Sequence, residues 1–166
     1  MFLNIEYINE FSPYPVTDYC QYLAFTTDEG IDYKVTFQLD SSGYFGDNAY
    51  HFIFAQLKND SKHSVKDENV QKTLLTIIEA FFKNDAHILI YICDATDERQ
   101  LARHRLFKRW FQKYETDFCI TDDIINFKDL NGNPEIQCAA IIIKKSNPKV
   151  HEYISIFCEL IASLKK

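Results

Sequence analysis

One stretch decides the order of secondary structure, residues 87–111, which reads His-Ile-Leu-Ile-Tyr-Ile-Cys-Asp-Ala-Thr-Asp-Glu-Arg-Gln-Leu-Ala-Arg-His-Arg-Leu-Phe-Lys-Arg-Trp-Phe. Residues 87–92 form an apolar run, as expected of a strand buried on both faces. A helix is predicted over 97–114, because Asp97 and Gln100 fit a capping box that places its start near Glu98. The loop between such a strand and helix lies at the carboxyl end of the strand, where ligands commonly bind. This stretch therefore predicts a strand-loop-helix unit, and its loop is the first candidate for a functional site.

The elements on either side follow from hydrophobic periodicity and turn residues. They are a hairpin over 21–27 and 31–39 around Asp28-Glu29-Gly30, a strand over 50–57, a helix over 67–83 capped by Asp67, strands over 117–129 and 135–144, and a last helix beginning at Pro148. The order βββ-α-β-α-ββ-α predicts an α+β fold, a mixed and largely antiparallel sheet of about six strands covered by three helices. We expect the 166 residues to form a single domain, 1–166.

Charge and cysteine usage narrow the classes of function. The net charge of −6 disfavours a general nucleic-acid binder and suits a basic protein partner. No apolar stretch approaches the roughly 18 residues of a membrane helix, and the first residues have no basic region typical of a signal peptide. The five cysteines are widely spaced and form no ligand pattern with the five histidines. We therefore expect reduced thiols in a cytoplasmic protein with no metal and no cofactor.

All four arginines lie within residues 99–109, whereas the rest of the chain uses only lysine for positive charge. At about 100° per residue, one arc of the helix is apolar and the opposite arc is basic; the apolar arc holds Leu106, Phe107, Trp110, Phe111 and Tyr114, and the basic arc holds Arg105, Lys108, Arg109 and Lys113. Arg99 and Arg103 fall on the apolar arc. An unpaired charge there would be costly, so each needs a carboxylate or a bound anion.

Two interpretations of Arg99 and Arg103 remain open. In the first, they form buried ion pairs that tie the helix to the sheet, with partners drawn from Asp94, Asp97, Asp122 and Asp123. In the second, they bind an anion together with helix amides. The exposed basic stripe is a small surface on an acidic protein, which favours a solvated face over a nucleic-acid interface.

Known catalytic and metal-binding motifs match the predicted loop poorly. Cys93 and Arg99 have the Cys-x5-Arg spacing of cysteine-dependent phosphatases, but three carboxylates in the loop, those of Asp94, Asp97 and Glu98, would repel phosphate and raise the pKa of the thiol. The same carboxylates could hold a hard metal ion. Capping of the helix by Thr96 and Asp97 explains them more simply.

The pattern Cys-Asp-x-x-Asp-x-Arg-Gln-x-x-Arg-x-Arg-x-Phe-x-x-Trp-Phe, residues 93–111, resembles the hallmark of a domain-of-unknown-function family of small bacterial proteins, found mainly among Bacteroidetes. In that family the loop commonly reads Asp-Gly-Arg-Gln, whereas this chain has Glu98 in place of the glycine. The resemblance implies a bacterial cytoplasmic setting and one compact domain, and it implies no reaction.

These observations favour a non-enzymatic protein-interaction domain, like an immunity protein or antitoxin, whose acidic surface binds a basic partner. The alternative is a ligand-binding module or enzyme acting on a phosphate- or carboxylate-bearing small molecule at residues 93–103. In that case Arg99 and Arg103 would clamp the anion, and Asp94 or Asp97 would orient them or act as a base.

Overall fold

A computed structural model describes residues 3–57, 67–93, 100–111, 116–128, 132 and 134–165. The elements in chain order are α1 (Ile5–Phe11), β1 (Thr17–Asp18), β2 (Leu23–Thr26), β3 (Asp32–Leu39), β4 (Ala49–Gln56), α2 (Glu68–Phe81), β5 (Ile88–Ile92), α3 (Gln100–Phe111), β6 (Phe118–Lys128), β7 (Pro134–Lys144) and α4 (Val150–Leu164). The fold class is α+β with a mixed sheet, as predicted. None of the helices in the described ranges combines the length and the hydrophobicity of a membrane span.

The chain divides into two compact units. Unit 1 comprises Met1–Gln38 and Phe52–Asn84, and unit 2 comprises Leu39–His51 and Asp85–Lys166. The expectation of a single domain over 1–166 stays a prediction, and each unit is described by itself.

Unit 1 holds a short meander and two helices. Strands β1, β2 and β3 pair antiparallel in that order, and Gly30 supplies the positive φ, +76°, in the turn between β2 and β3. Asp67 is the N-cap of helix α2, and its side chain accepts from the backbone N–H groups of Asn69 and Val70 and so satisfies the first helical amides. Its apolar stripe is buried, and Phe81 stacks on Phe37 of β3 with ring centroids 4.6 Å apart.

Unit 2 holds strands β5, β7 and β6, which pair antiparallel in that spatial order. Strand β7 lies between the other two, so Ile141 is opposite both Ile90 and Thr121. The buried core of this unit comprises Phe45, Ala49, Ile88, Ile90, Ile125, Ala139, Ile141, Ile143, Val150, Phe157 and Ile161. Helix α4 contacts β6 and β7. Residues 87–91 of the run predicted to be buried over 87–92 are buried, whereas Ile92, the last residue of β5, is 42% exposed, so the prediction is wrong at that residue.

Two short elements were not predicted. The structure has seven strands and four α-helices among the described residues, whereas the sequence indicates about six and three. Helix α1 has seven residues, too few for a clear periodicity, and depends on Asn4, whose side chain accepts from the N–H of Tyr7. Strand β1 has two residues, and only its pairing with β2 defines it.

The last helix begins later than predicted. Helix α4 starts at Val150 rather than at Pro148. The side chain of Asn147 accepts from the N–H of Lys149 at 2.9 Å, and the Asn147 carbonyl accepts from Val150. Pro148 therefore lies in an Asx-type turn that precedes the helix.

The predicted faces of α3 are confirmed in large part. Phe107, Trp110 and Phe111 are buried, and Arg105, Lys108 and Arg109 are exposed. The prediction that Leu106 lies on the buried arc is wrong, because 42% of this residue is exposed. The buried arc is centred on His104, Phe107 and Phe111, which puts Leu106 on the far side of the helix. Tyr114, Lys113 and the predicted start near Glu98 lie outside the described residues.

Candidate functional site

The site predicted from sequence covers residues 93–103. Asp94, Asp97 and Arg99 lie outside the described residues. Arg103 belongs to α3, and its side chain also lies outside the described part. Both interpretations of the arginines, ion pairs or an anion site, therefore stay predictions.

Three other side chains, two of them within residues 87–111, come together in the described part of unit 2. Cys93 directly follows β5, His104 lies on α3, and Cys138 lies on β7; all three are buried. Their sulfur and nitrogen atoms lie within 4.8 Å of one another. We call these residues the Cys-His cluster. The sequence shows no ligand pattern for these residues because they are distant in the chain and are brought together only by the fold. The expectation of no metal stays a prediction.

The β5–β7 ladder places the two cysteines opposite each other. The last registered pair is Ile92 with Ala139, and one step further the N–H of Cys93 donates to the carbonyl of Cys138 at 2.9 Å. Facing residues of an antiparallel ladder project to the same side of the sheet. Both thiols therefore lie on the side from which His104 approaches.

His104 is held by a carboxylate on the neighbouring strand. Its Nε2 lies 2.9 Å from Oδ2 of Asp122 on β6, and Nζ of Lys108, one helical turn further along α3, lies 3.0 Å from Oδ1 of the same carboxylate. A carboxylate only accepts hydrogen bonds, so Nε2 carries the proton and donates. In the neutral ring, Nδ1 is then the atom with the free lone pair.

Two polar atoms on this side of α3 are buried without a partner in the described part of the chain, Nδ1 of His104 and Oε1 of Gln100. Gln100 is one turn before His104, and its Nε2 donates to the carbonyl of Ile136 at 3.2 Å. Buried polar atoms are normally hydrogen-bonded, and leaving one unpaired costs about 1–3 kcal/mol. The face is therefore preorganised for a partner that the described residues do not supply.

The chemistry of the thiols limits what the cluster can do alone. Burial raises the pKa of the Cys138 thiol to about 11, and contact with the Cys93 thiol acts in the same direction. Cys138 is thus a protonated thiol at neutral pH, whereas the reactive nucleophile is the thiolate. With Cys138 0% exposed, the described geometry disfavours thiol catalysis and suits a ligand that displaces the protons.

The sequence did hold one signal for His104. The buried face of α3 follows the spacing i, i+3, i+7 through His104, Phe107 and Phe111, a helical stripe. The arginines drew the prediction to the loop instead. The sequence could not predict that Cys93 and Cys138 lie opposite each other, because the register of two strands is set by how they pair in the folded protein.

Unit 1 has a separate feature, an aromatic cleft of about 410 Å³ on its meander. It is lined by Pro15, Thr17, Tyr19, Tyr22, Ala24, Phe25, Thr26, Asp32 and Leu57. The rings of Tyr19 and Tyr22 stack with centroids 5.1 Å apart, and Nζ of Lys34 lies 4.4 Å from the centroid of Tyr22. Tyr19 is 54% exposed. We call this feature the tyrosine cleft.

The fold is thus that of an α+β protein with a buried Cys-His cluster beside a strand-loop-helix segment. Residues 66–159 match the model of a family described as "Family of unknown function (DUF6169)", which is more than half of the chain. The chain belongs to this family. The matched range contains the whole Cys-His cluster together with Asp122 and Lys108. No curated protein matches the chain.

Proposed function

We propose that this chain is a non-enzymatic protein-interaction module that binds a basic partner through the tyrosine cleft. The observation that carries the proposal is the coincidence of exposed aromatic rings with a one-sided charge. Residues 1–38, all in unit 1, contain a single basic residue, Lys34, and six acidic residues, Glu6, Glu10, Asp18, Asp28, Glu29 and Asp32. Such a surface attracts a basic partner and repels an acidic one.

The cleft itself has the chemistry that recognises lysine or arginine side chains. The Lys34 ammonium lies over the face of Tyr22, the geometry in which an aromatic ring attracts a lysine or arginine side chain. The Asp32 carboxylate lines the same cleft and accepts from the Thr26 hydroxyl at 2.7 Å, so its position is fixed. Aromatic anchors of this kind dominate binding energy in protein interfaces.

A basic peptide tests the proposal directly. The probe is fluorescein-labelled nona-arginine, with nona-glutamate as the acidic counterpart, and the measurement is fluorescence anisotropy. We expect the double variant Tyr19→Ala, Asp32→Asn to bind nona-arginine about tenfold more weakly than the wild type, since one cation–π contact and one charge are lost.

The control makes the same two kinds of substitution in unit 2. Tyr44 is 57% exposed and Glu152 is exposed on α4, so Tyr44→Ala, Glu152→Gln removes one exposed tyrosine and one charge elsewhere. Equal weakening by both double variants would mean that only net charge attracts the peptide. That result, or no binding of nona-arginine at all, contradicts the proposal.

A second candidate function is a ligand-binding module or enzyme for a phosphate- or carboxylate-bearing small molecule at residues 93–103. The unpartnered atoms of His104 and Gln100 favour a ligand near this segment. A ligand that binds the native state raises the melting temperature. A thermal-shift panel of nucleotides, sugar phosphates and dicarboxylates should therefore stabilise the wild type and leave Arg103→Ala unaffected; a flat panel removes this candidate.

The cellular setting belongs to the same proposal. We place the protein in a bacterial cytoplasm. The support is the hallmark pattern at 93–111 and the absence of disulfides among the five cysteines, all of which lie in the described residues.

A further inference from the structure

We propose that Cys93, His104 and Cys138 form a binding site for a thiophilic divalent cation of the Zn²⁺ class. The inference uses neither the tyrosine cleft nor the arginines, and it shares with the second candidate function only the unpartnered Nδ1 of His104 and the position of Cys93. It rests on three buried ligand atoms within 4.8 Å of one another. Zn²⁺ binds sulfur at about 2.3 Å and imidazole nitrogen at about 2.0–2.1 Å, so ligand atoms around a tetrahedral ion lie about 3.5–3.8 Å apart. Closure of about 1 Å brings all three onto one ion.

The ligands come from three different elements. Cys93 follows β5, Cys138 lies opposite it on β7, and His104 reaches them from α3. The two strands are joined by an uninterrupted ladder over Ile88–Ile92. The backbones of two of the three ligands are therefore held by hydrogen bonds before any ion arrives.

The state of His104 is an independent indication of a ligand. Metal-binding histidines commonly give one ring nitrogen to the ion and donate the other N–H to a carboxylate, which fixes the tautomer and the orientation of the ring. Here Nε2 is hydrogen-bonded to Asp122 at 2.9 Å, and Nδ1 is buried without a partner among the described residues. Lys108 in turn holds Asp122. The ring is thus oriented by a second layer of residues, and one lone pair is left for an ion.

The donor set selects the kind of ion. Two sulfurs and one imidazole favour Zn²⁺ or Co²⁺ over Mg²⁺ or Ca²⁺, which prefer oxygen. Binding of a divalent ion releases the two thiol protons to solvent, so M²⁺ and two thiols give a neutral dithiolate complex and two H⁺. A complex without net charge suits the apolar surroundings of β5 and β7. The described residues supply three ligands, which leaves the fourth position for water or another group.

Cobalt and zinc provide the first test on the whole chain. Metal-free protein is titrated with Co²⁺ under reducing conditions, followed by the thiolate-to-cobalt charge-transfer band, and Zn²⁺ is then added in competition. We expect one ion per chain and displacement of Co²⁺ by Zn²⁺. Cys138→Ser and His104→Gln should each weaken binding at least 100-fold, and Asp122→Asn should weaken it about 10–100-fold, as for other residues that orient a ligand.

The matched control is Cys158→Ser, which removes a thiol that is exposed on α4 and outside the cluster. It should bind Co²⁺ like the wild type. No charge-transfer band in the wild type, or equal affinity in Cys138→Ser and Cys158→Ser, overturns the proposal.

A second measurement needs no variant, in case the substitutions at these buried positions prevent folding. Zinc-edge X-ray absorption of the wild-type complex counts the sulfur neighbours of the ion. Two sulfurs at about 2.3 Å support the site. A shell of nitrogen and oxygen alone overturns it, as does a melting temperature that Zn²⁺ leaves unchanged.

Discussion

Asp67 carries two structural duties whose energies can be separated by mutation. Its Oδ1 accepts from the N–H of Asn69 at 2.8 Å and from that of Val70 at 3.3 Å, capping α2. Its Oδ2 accepts from the hydroxyl of the buried Tyr14 at 2.8 Å. Replacing Asp67 with alanine removes both at once.

The expected loss follows from the two duties. An N-cap contributes about 0.5–2 kcal/mol, and a buried hydroxyl left without its acceptor costs about 1–3 kcal/mol. Asp67→Ala should therefore lower the free energy of unfolding by about 2–4 kcal/mol. In a Tyr14→Phe background no hydroxyl is left unpaired, so the same substitution should cost only the cap, about 1 kcal/mol. Asp67→Asn keeps an oxygen for the cap but places an amide NH₂ where Oδ2 accepts from Tyr14, so it should cost only the hydroxyl's acceptor, about 1–3 kcal/mol.

Urea unfolding followed by far-ultraviolet circular dichroism measures this double-mutant cycle. With a slope of about 2 kcal/mol per M, Asp67→Ala should move the midpoint by about 1–2 M. The coupling energy between Asp67 and Tyr14 should be about 1–3 kcal/mol. If Asp67→Ala lowers the free energy of unfolding equally in both backgrounds, the hydrogen bond from Tyr14 to Asp67 does not stabilise the protein, and the reasoning is wrong.

Three further predictions concern Tyr14, Cys20 and Ile141. The hydrogen bond to Asp67, together with burial, raises the pKa of Tyr14 above 10.0, so the tyrosine of the unfolded chain ionises first. The stability that this shift contributes is therefore complete below pH 10.0 and is lost as the pH rises through the folded pKa, and unfolding midpoints between about pH 9 and 11 should fall less in Tyr14→Phe than in the wild type. Cys20 is exposed with φ +68°, a strained value for a residue with a side chain, so Cys20→Gly should raise the free energy of unfolding by about 0.5–1 kcal/mol, and a lower melting temperature would contradict this. Ile141 is 0% exposed, so Ile141→Ala should cost about 2–5 kcal/mol when unfolding of unit 2 is followed by fluorescence of Trp110, whereas Ile124→Ala, at a position 38% exposed, should cost less than half as much.

Local signals in the sequence predicted local structure well. The Asp67 cap, the turn at Gly30 and the apolar run at 88–91 each depend on neighbouring residues alone, and each lies where the sequence places it. Helix α1 was not predicted because its seven residues are too few to show a helical period. The error at Pro148 arose because an asparagine before a proline is typical of both a helix start and an Asx turn.

Only part of the Cys-His cluster could be found from the sequence. Cys93 and His104 lie within residues 87–111, the stretch that the sequence analysis singles out. Cys138 joins them through strand register and Asp122 through the pairing of β6 with β7, where it faces Ala140. Neither relation leaves a local pattern. The arginines were conspicuous in composition, whereas the histidine that the fold uses was one residue away from Arg103 and Arg105.

The central position of β7 has a consequence for synthesis of the chain. Strand β5 is complete at residue 92, yet the strand it pairs with in unit 2 is complete only at residue 144. At about 5–20 residues per second, translation leaves one hydrogen-bonding edge of this apolar run without its partner β7 for about 3–10 s. During that interval Ile88–Ile92 is an aggregation-prone segment on a growing polypeptide. Slow translation between these strands should therefore lower the soluble yield, and a chaperone that holds the nascent chain should restore it.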